Sequence, residues 1–310
     1  MNILIGGIGG DIGLGAARIL KAFKWNGKVY GSDITSNHPG HHECDQCFIL
    51  PHVESDNFQE ILEKLINDFS IALYIPTSEA EIRFLNKHSI RKISKAKVLL
   101  TNKLLLENSL DKYICLKFLD SKGINVPEHG LVGQNEPKKY PVIIKPREGS
   151  GSKDLSIINS LSHYRSFKPP TNVEMIWQQY LMPDEEYTCP VFRSRATGTR
   201  TMIIKRTLLY GFTYSGEVVE NELINQYLYD ITDAVELNGI MNVQLRLTQE
   251  GPLLFEINPR LSSTVMFRHL MNFQDLIWWI YANSSIPVPD YYAPKAGTKF
   301  YRGLTEYIDK

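Results

Sequence analysis

Strand and helix patterns that alternate through the first hundred residues constrain the fold of this chain more than any other feature. An apolar stretch at Ile3 to Ile5 precedes a glycine-rich turn, and Leu14 to Phe23 carry apolar side chains at helical spacing. The next patterns are a strand at Val29 to Asp33, a strand at Phe48 to Leu50, a helix at Phe58 to Phe69 and a strand at Ile71 to Ile75. Such alternation favours a parallel sheet covered by helices.

The later residues predict a mixed α+β arrangement. Helices are expected at Asn108 to Lys122 and at Phe267 to Ala282. Extended stretches lie between them, at Val142 to Lys145, Leu155 to Ile158, Glu174 to Gln179, Thr201 to Tyr210 and Leu253 to Ile257. The fold class is therefore α/β followed by α+β.

The composition excludes several classes of protein. Lysine plus arginine and aspartate plus glutamate both total 34, so no overall charge attracts nucleic acid or a membrane surface. Four cysteines are too few and too scattered for a disulfide framework, and no apolar stretch is long enough to span a bilayer. Because the first residues form a strand pattern instead of a signal peptide, we expect a cytoplasmic protein.

The glycine-rich turn Gly6 to Gly13 has two interpretations. It follows a strand, opens a helix and is followed by Asp33 at the end of the next strand, which is the arrangement of a dinucleotide site. Alternatively, the glycines allow the first helix to pack closely on the sheet. We favour packing and keep an NAD(P)-dependent oxidoreductase as the alternative function.

Two later segments have the chemistry of a nucleotide site. A strand carries Lys145 into the interior, where a lone ammonium is costly unless an anion meets it, and the flexible loop Gly149 to Ser152 follows. The lysine precedes the glycines, so this is not a P-loop. The run Trp177 to Thr188 offers backbone amides for a purine edge and carboxylates for ribose, although this pattern alone is weak.

The last segment predicts a metal and phosphate site. Period-two spacing places Glu256 and Asn258 on one face of a strand, and Gln244 on a neighbouring strand supplies a third oxygen ligand. Mg²⁺ prefers oxygen ligands and commonly bridges nucleotide phosphates. Arg260, just beyond, is suited to clamp a phosphate or carboxylate.

In this order, the segments resemble the ATP-grasp superfamily, most closely its carbamoyl-phosphate-synthase-like branch of carboxylate ligases. Ile75 to Glu79 also resembles a strand-end segment of that family. The resemblance implies an N-terminal Rossmann-like domain at residues 1–100, a small lid subdomain at 101–180 and a C-terminal subdomain with the metal site at 181–310. It covers nearly the whole chain.

The resemblance also implies a role for each matching residue. Arg260 and Lys145 are the implied catalytic residues, and Gln244, Glu256 and Asn258 are the implied metal ligands. The implied ATP-binding residues are Lys112, Lys145, Gly149, Ser150, Gly151, Ser152, Gln179, Tyr180, Leu181 and Glu186. Many relatives carry glutamate where Gln179 stands, which replaces a charged contact to adenine by an amide.

The implied activity is that of an ATP-dependent carboxylate–amine ligase that requires Mg²⁺ (or Mn²⁺) and acts through an acyl phosphate. Its partners are small carboxylate and amine substrates, with no nucleic acid and no membrane, and a homodimer is left open. A non-catalytic ATP-binding protein is a further alternative. Acceptor-side candidates are Ser262, Ser263, Thr264, Arg268 and Arg302.

A dense group of histidines and cysteines invites a zinc interpretation. It comprises His38, His41, His42, Cys44 and Cys47. A structural zinc site normally brings a second cysteine pair, which the sequence lacks, so we expect a variable loop here.

Overall fold

The alternating pattern of the N-terminal residues forms a six-stranded sheet. The structure, a computed structural model, describes residues 1–149, 154–209 and 211–308. The first sheet has the strand order β3-β2-β1-β4-β6-β5 and is parallel except for β5, which confirms the predicted parallel sheet. Its elements are β1 (Asn2–Gly6), α1 (Asp11–Ala22), β2 (Val29–Asp33), a 3₁₀ turn (Pro39–His42), β3 (Gln46–Ile49), α2 (Phe58–Asp68), β4 (Ile71–Pro76), α3 (Glu79–Lys87), β5 (Lys92–Ile93) and β6 (Ala96–Val98).

Glycine at position 13 allows α1 to lie close to the end of β1. A Cβ atom at Gly13 would stand 2.3 Å from the carbonyl oxygen of Gly7, and Gly7 itself has a φ of +65°. Real side chains do not tolerate such a contact with backbone, so only glycine fits there. The close approach buries Ile3, Ile5 and Leu20 between the helix and the sheet.

A smaller antiparallel sheet follows, with the order β7-β10-β8-β9. It is accompanied by helices that precede it in the chain and by one that lies between its strands. The elements are α4 (Lys103–Ser109), α5 (Lys112–Ser121), β7 (His129–Leu131), β8 (Val142–Pro146), β9 (Ser156–Ile158), α6 (Leu161–Ser166) and β10 (Met175–Gln179).

The single helix predicted at Asn108 to Lys122 is wrong at its start. Helix α4 ends at Ser109, and α5 begins only at Lys112. Asp111 between them is extended, and its carboxylate accepts hydrogen bonds from the N–H groups of Tyr113 and Ile114. An aspartate that caps a new helix competes with continuation of the old one.

The third sheet is the largest and carries the C-terminal half of the site. Its main path is β16-β15-β11-β13-β14-β17, and β12 pairs with β11 beside that path. The elements are β11 (Glu186–Ser194), β12 (Gly198–Thr201), β13 (Ile204–Leu209), β14 (Phe212–Val218), α7 (Glu222–Ala234), β15 (Gly239–Thr248), β16 (Gly251–Asn258), α8 (Val265–Leu270), α9 (Asp275–Asn283) and β17 (Lys299–Tyr301).

Two predicted elements of this part are divided in the structure. The stretch expected at Thr201 to Tyr210 is interrupted between β12 and β13, and Tyr210 lies outside the described residues. The helix expected at Phe267 to Ala282 is broken because Asn272 has a φ of 66°, a left-handed conformation that ends α8.

A buried ion pair joins α8 to α9 across this break. Arg268 and Asp275 are each 1% exposed, and their closest contact, from Arg268 Nη2 to Asp275 Oδ2, is 2.7 Å. The same guanidinium donates to the hydroxyl groups of Ser262 and Thr264. Arg268 therefore has a structural role, and its charge is not available to a ligand.

Each sheet lies inside one of the three expected divisions, 1–100, 101–180 and 181–310. The boundaries of the domains themselves stay a prediction. Within the described part of the chain, no helix combines the length and the apolar character needed to cross a membrane.

We expect Arg268→Met to lower the free energy of unfolding by about 3–5 kcal/mol, because it leaves the Asp275 carboxylate buried and unpaired. Urea unfolding followed by circular dichroism measures this change. The double variant Arg268→Met/Asp275→Leu should recover most of the loss, since it removes both charges. Lys64→Ala, which breaks the exposed pair of Lys64 with Asp68, is the control and should change stability little. Equal effects of the single and double variants would contradict this account.

Candidate active site

Two adjoining cavities contain the described residues that the sequence assigns to the site. The first cavity, about 370 Å³, lies between the small and large sheets. The second cavity, about 460 Å³, lies between the glycine-rich turn of the first sheet and the end of β16. Both have the size typical of small-molecule sites. Of the residues that the structure describes, Arg206, Leu208, Gln244 and Glu256 line both cavities.

The predicted site residues divide between the cavities. The first is lined by Lys112, Lys145, Gly149, Gln179, Tyr180, Leu181, Glu186, Gln244 and Glu256. The second is lined by Gln244, Glu256, Asn258 and Arg260, together with the acceptor-side candidates Ser262 and Ser263. Ser150, Gly151 and Ser152 lie outside the described residues. The assigned roles stay predictions.

Lys145 is delivered into the interior by β8, as its strand pattern predicts. It is 6% exposed, and its ammonium donates to the carbonyl oxygen of Phe255 at 2.9 Å. Burial lowers the pKa of Lys145 from 10.5 to about 8, although the nearby Glu256 carboxylate opposes this shift. An ammonium held in this way gains most from an anionic ligand.

Lys112 lies at the first position of α5, directly after the capping residue Asp111. Its ammonium donates to the carbonyl oxygen of Gly149 at 2.5 Å and is 3.9 Å from the Glu256 carboxylate. Arg147 bonds to Asp111 through two guanidinium nitrogens, at 2.6 and 3.0 Å. The start of α5 is thus fixed to the end of β8, which places two lysines on one cavity.

Glu186 is held by two arginines that the sequence-based prediction does not include. Arg206 Nη2 and Arg246 Nη2 each lie 3.0 Å from one of its carboxylate oxygens. Both arginines are direct cross-strand partners of Glu186 in the antiparallel ladders of β11. Arg246 follows Gln244 by two positions on β15, so strand alternation was the signal that places it on the same face.

The three predicted metal ligands converge at the boundary of the two cavities. Gln244 on β15 pairs directly with Glu256 on β16, and Asn258 follows on the same face. Among the described residues, no side-chain hydrogen bond engages Glu256 or Asn258, so their oxygens fit a hard cation such as Mg²⁺. Gln244 Oε1 accepts a hydrogen bond from Arg206 at 3.1 Å and is therefore less available.

At the end of β10, the side chains of Gln178 and Gln179 have different surroundings. The Gln179 side chain accepts a hydrogen bond from the N–H of Glu128, on the edge of the small sheet. Gln178 lines the first cavity, is 1% exposed, and its Oε1 atom has no partner among the described residues. The resemblance assigns the adenine contact to Gln179, which also lines this cavity, and that assignment stays a prediction; the more deeply buried side chain belongs to Gln178.

The glycine-rich turn is arranged for packing, in agreement with the interpretation favoured from the sequence. The Asp33 carboxylate accepts hydrogen bonds from the N–H groups of Gly9 and Ile34, each at 2.8 Å. It therefore fixes the turn. Gly7 and Gly10 line the second cavity, whereas the predicted nucleotide residues line the first.

The histidine and cysteine group lies beside α1 and the C-terminal residues. The His42 ring stacks on Tyr307 with 5.1 Å between ring centroids, and the Tyr307 hydroxyl donates to Glu43. No cluster of three or more histidine, cysteine, aspartate or glutamate side chains suited to a metal ion occurs in residues 1–149, 154–209 and 211–308.

Two family models match the chain in agreement with this architecture. The model described as ATP-grasp domain matches residues 109–264, and the PylC-like N-terminal domain matches residues 3–99. The chain belongs to the ATP-grasp family, which confirms the predicted superfamily and fold. No curated relative matches the chain.

Solved structures share this fold along nearly the whole chain. N5-carboxyaminoimidazole ribonucleotide synthetase from Thermotoga maritima is similar with a TM-score of 0.71 and 20% identity, over 94% of this chain and 78% of that chain. An L-amino acid ligase from Bacillus licheniformis is similar with a TM-score of 0.68 and 15% identity, over 91% and 74% of the two chains. The biotin carboxylase domain of the Hydrogenobacter thermophilus 2-oxoglutarate carboxylase gives 0.71 and 11%, over 94% and 71%.

The lowered pKa of Lys145, about 8, predicts pH-dependent binding of Mg·ATP. Because the ammonium loses its proton as the pH rises through this value, affinity should fall about tenfold between about pH 7 and about pH 9. Isothermal titration calorimetry at each pH measures the dissociation constant. Lys145→Arg stays protonated and should lose this dependence. The exposed Lys139→Arg is the control, and an unchanged dependence in Lys145→Arg would contradict the assignment.

The different surroundings of Gln178 and Gln179 predict that substitutions of these two residues have unequal effects on nucleotide binding. Gln178→Leu removes the buried amide and should weaken Mg·ATP binding by about 2- to 10-fold, the value of one hydrogen bond. Gln179→Leu is the matched control and should leave affinity nearly unchanged, because its side chain bonds to Glu128. Calorimetric titration compares the two variants. A larger effect of Gln179→Leu would support the assignment of the base contact to Gln179 and contradict the expectation for Gln178.

Proposed function

We propose that this protein is an ATP-dependent, Mg²⁺-requiring carboxylate–amine ligase. The observation that carries the proposal is the junction of the two cavities at Gln244 and Glu256. A nucleotide in the first cavity and a carboxylate in the second would meet there. Membership of the ATP-grasp family supports this reading and gives no support to the oxidoreductase alternative.

The first cavity has the charges that a nucleotide requires. Lys112 and Lys145 place two ammonium groups near Glu256, where they would neutralise phosphate oxygens. The buried Gln178 amide faces the same cavity and would contact the base, while Glu186 is the candidate partner for ribose. Phosphoryl transfer depends mainly on such positioning and charge neutralisation, so no nucleophilic side chain is needed.

Glu256 and Asn258 would hold Mg²⁺ at the junction, with Gln244 as the third candidate. When bound, the ion supplies positive charge to the phosphate oxygens. Arg260 lies two residues beyond Asn258, lines the second cavity and uses one N–H for the carbonyl oxygen of Leu261. Its remaining donors would orient a substrate carboxylate.

The proposed reaction has two balanced steps. An oxygen of the substrate carboxylate attacks the γ-phosphorus of ATP, and the bond from phosphorus to the bridging oxygen breaks, so that an acyl phosphate and ADP form. The amine nitrogen then attacks the acyl carbon, inorganic phosphate leaves with the bonding electron pair, and the nitrogen loses a proton. Exclusion of water from the cavities protects the acyl phosphate from hydrolysis.

The partners of this reaction are small molecules. A carboxylate and an amine are the proposed substrates, and neither nucleic acid nor a membrane is required. The biotin carboxylase domain of Hydrogenobacter thermophilus is described as a dimer, and a homodimer is retained as a proposal for this chain. A cytoplasmic location is likewise part of the proposal. A non-catalytic ATP-binding protein would bind Mg·ATP without substrate-dependent ADP release.

Glu256→Gln should lower substrate-dependent ADP release at least about 100-fold, because it removes the one carboxylate of the predicted metal set. A coupled ADP assay measures the rate, and circular dichroism shows that the fold is retained. Glu250→Gln, on the exposed turn between β15 and β16, is the matched control and should be fully active. ADP release that is unchanged in Glu256→Gln would count against the proposed site.

A further inference from the structure

The boundary between the two cavities carries a positive charge that none of the predicted site residues supplies. Of the described residues that line both cavities, Arg206 on β13 is the one with a cationic side chain. Lys112 and Lys145 line the first cavity but not the second, and Arg260 lines the second but not the first. Arg206 therefore faces the place where the contents of the two cavities would meet.

Strand β13 directs this side chain inwards. Arg206 lies directly opposite Glu186 in the antiparallel ladder with β11, and its side chain is 9% exposed. The preceding residue, Lys205, points to the other face of the strand and forms an exposed ion pair with Glu185. Burial and pairing hold the Arg206 guanidinium at the cavity boundary.

The guanidinium of Arg206 is only partly satisfied by the protein. Its Nη2 group donates to Glu186 Oε2 at 3.0 Å and to Gln244 Oε1 at 3.1 Å, which uses both N–H bonds of that nitrogen. Nε is buried without a hydrogen-bond partner among the described residues. Nη1 also makes no hydrogen bond within the described chain, and protein does not fully enclose it. These remaining donors require an acceptor that the described residues do not provide.

The charge of Arg206 is also incompletely balanced. Its ion-pair partner within the described residues, Glu186, is shared with Arg246. Arg246 has a second carboxylate, Asp184, at 2.7 Å, whereas Arg206 has none in the part of the chain that the structure describes. A guanidinium with spare donors and spare charge is suited to phosphate oxygens, which it binds through two parallel N–H groups.

We propose that Arg206 is a further catalytic residue, which contacts the γ-phosphoryl group of ATP at the boundary of the cavities. This inference rests on the proposed ligase function and adds a residue to that same site. The base and the inner phosphates lie in the first cavity, beside Gln178 and the two lysines, so the terminal phosphoryl group reaches the boundary. Because Arg206 faces both cavities, it contacts this group on ATP and again on the acyl phosphate. Charge on the oxygens of the transferring group is thereby neutralised throughout transfer.

A contact to the γ-phosphoryl group distinguishes ATP from ADP. ADP lacks that group, so it should gain little from Arg206. A residue that only supports Glu186 would act through the ribose end of the nucleotide, which ATP and ADP share. The two roles therefore predict different ratios of affinity for the triphosphate and the diphosphate.

The test is calorimetric titration with two magnesium nucleotides. One is Mg·ADP, and the other is the magnesium complex of AMP-PNP, an ATP analogue in which an NH group replaces the oxygen between the β- and γ-phosphorus atoms. Each is titrated into the unmodified protein, Arg206→Met and Arg206→Lys. Arg246→Met is the matched variant for the support of Glu186, and Lys205→Met, on the opposite face of β13, is the control. Circular dichroism verifies the fold of each variant.

We expect Arg206→Met to weaken AMP-PNP binding about 10- to 100-fold, the value of a charge-assisted hydrogen bond, and ADP binding at most about threefold. Arg206→Lys keeps the charge but has fewer donors, so its loss should be intermediate and again confined to AMP-PNP. Arg246→Met should weaken the two nucleotides by the same factor. Lys205→Met should bind both as the unmodified protein does.

The opposite results are equally definite. If Arg206→Met weakens AMP-PNP and ADP by the same factor, or weakens neither, the γ-phosphoryl contact is overturned and the ligase function stands. If Arg206→Met does not fold, the ratio of the two affinities in Arg206→Lys decides in the same way. If the unmodified protein binds neither nucleotide, the proposed function is overturned, and the inference with it.

Discussion

The buried ammonium of Lys145 is the interaction on which the first cavity depends. Lys145 lies on β8 of the small sheet, and its ammonium donates to the carbonyl oxygen of Phe255 on the large sheet. One charged side chain therefore joins the two walls of the cavity. A single carbonyl partner satisfies a hydrogen bond but does not balance a full charge. Positive charge therefore predominates where phosphates would lie, and Lys112 adds a second ammonium to this part of the cavity. A chain with zero net charge achieves an anion site by local arrangement of charges.

The sequence predicts the fold best where a pattern is repeated and where one face of an element is buried. The parallel sheet follows from alternating strands and helices, and the strands that carry Lys145 and Glu256 were expected. Helix ends were harder, because Asp111 and Asn272 stop helices through a cap and a left-handed conformation. Apolar periodicity continues across both positions, so hydrophobic spacing alone predicts one helix where the chain forms two.

The site was predictable along each strand but less so between strands. Period-two spacing correctly grouped Glu256 with Asn258, and the register then placed Gln244 opposite Glu256. The arginines around Glu186 were missed because cross-strand neighbours depend on register, which distant segments determine jointly. The different surroundings of Gln178 and Gln179 depend on the same register. Adjacent strand residues face opposite sides, so a shift of one position reverses which side chain is buried at the cavity.

The close contact between Gly13 and the backbone of Gly7 has a consequence for how such sequences are interpreted. Helix α1 needs glycine at this point in order to approach β1, whatever the second cavity binds. A glycine signature after a first strand therefore records the spacing between helix and sheet, and it would persist in descendants that change substrate entirely. A cofactor assignment that rests on this signature alone is therefore unsupported, because packing by itself accounts for the glycine.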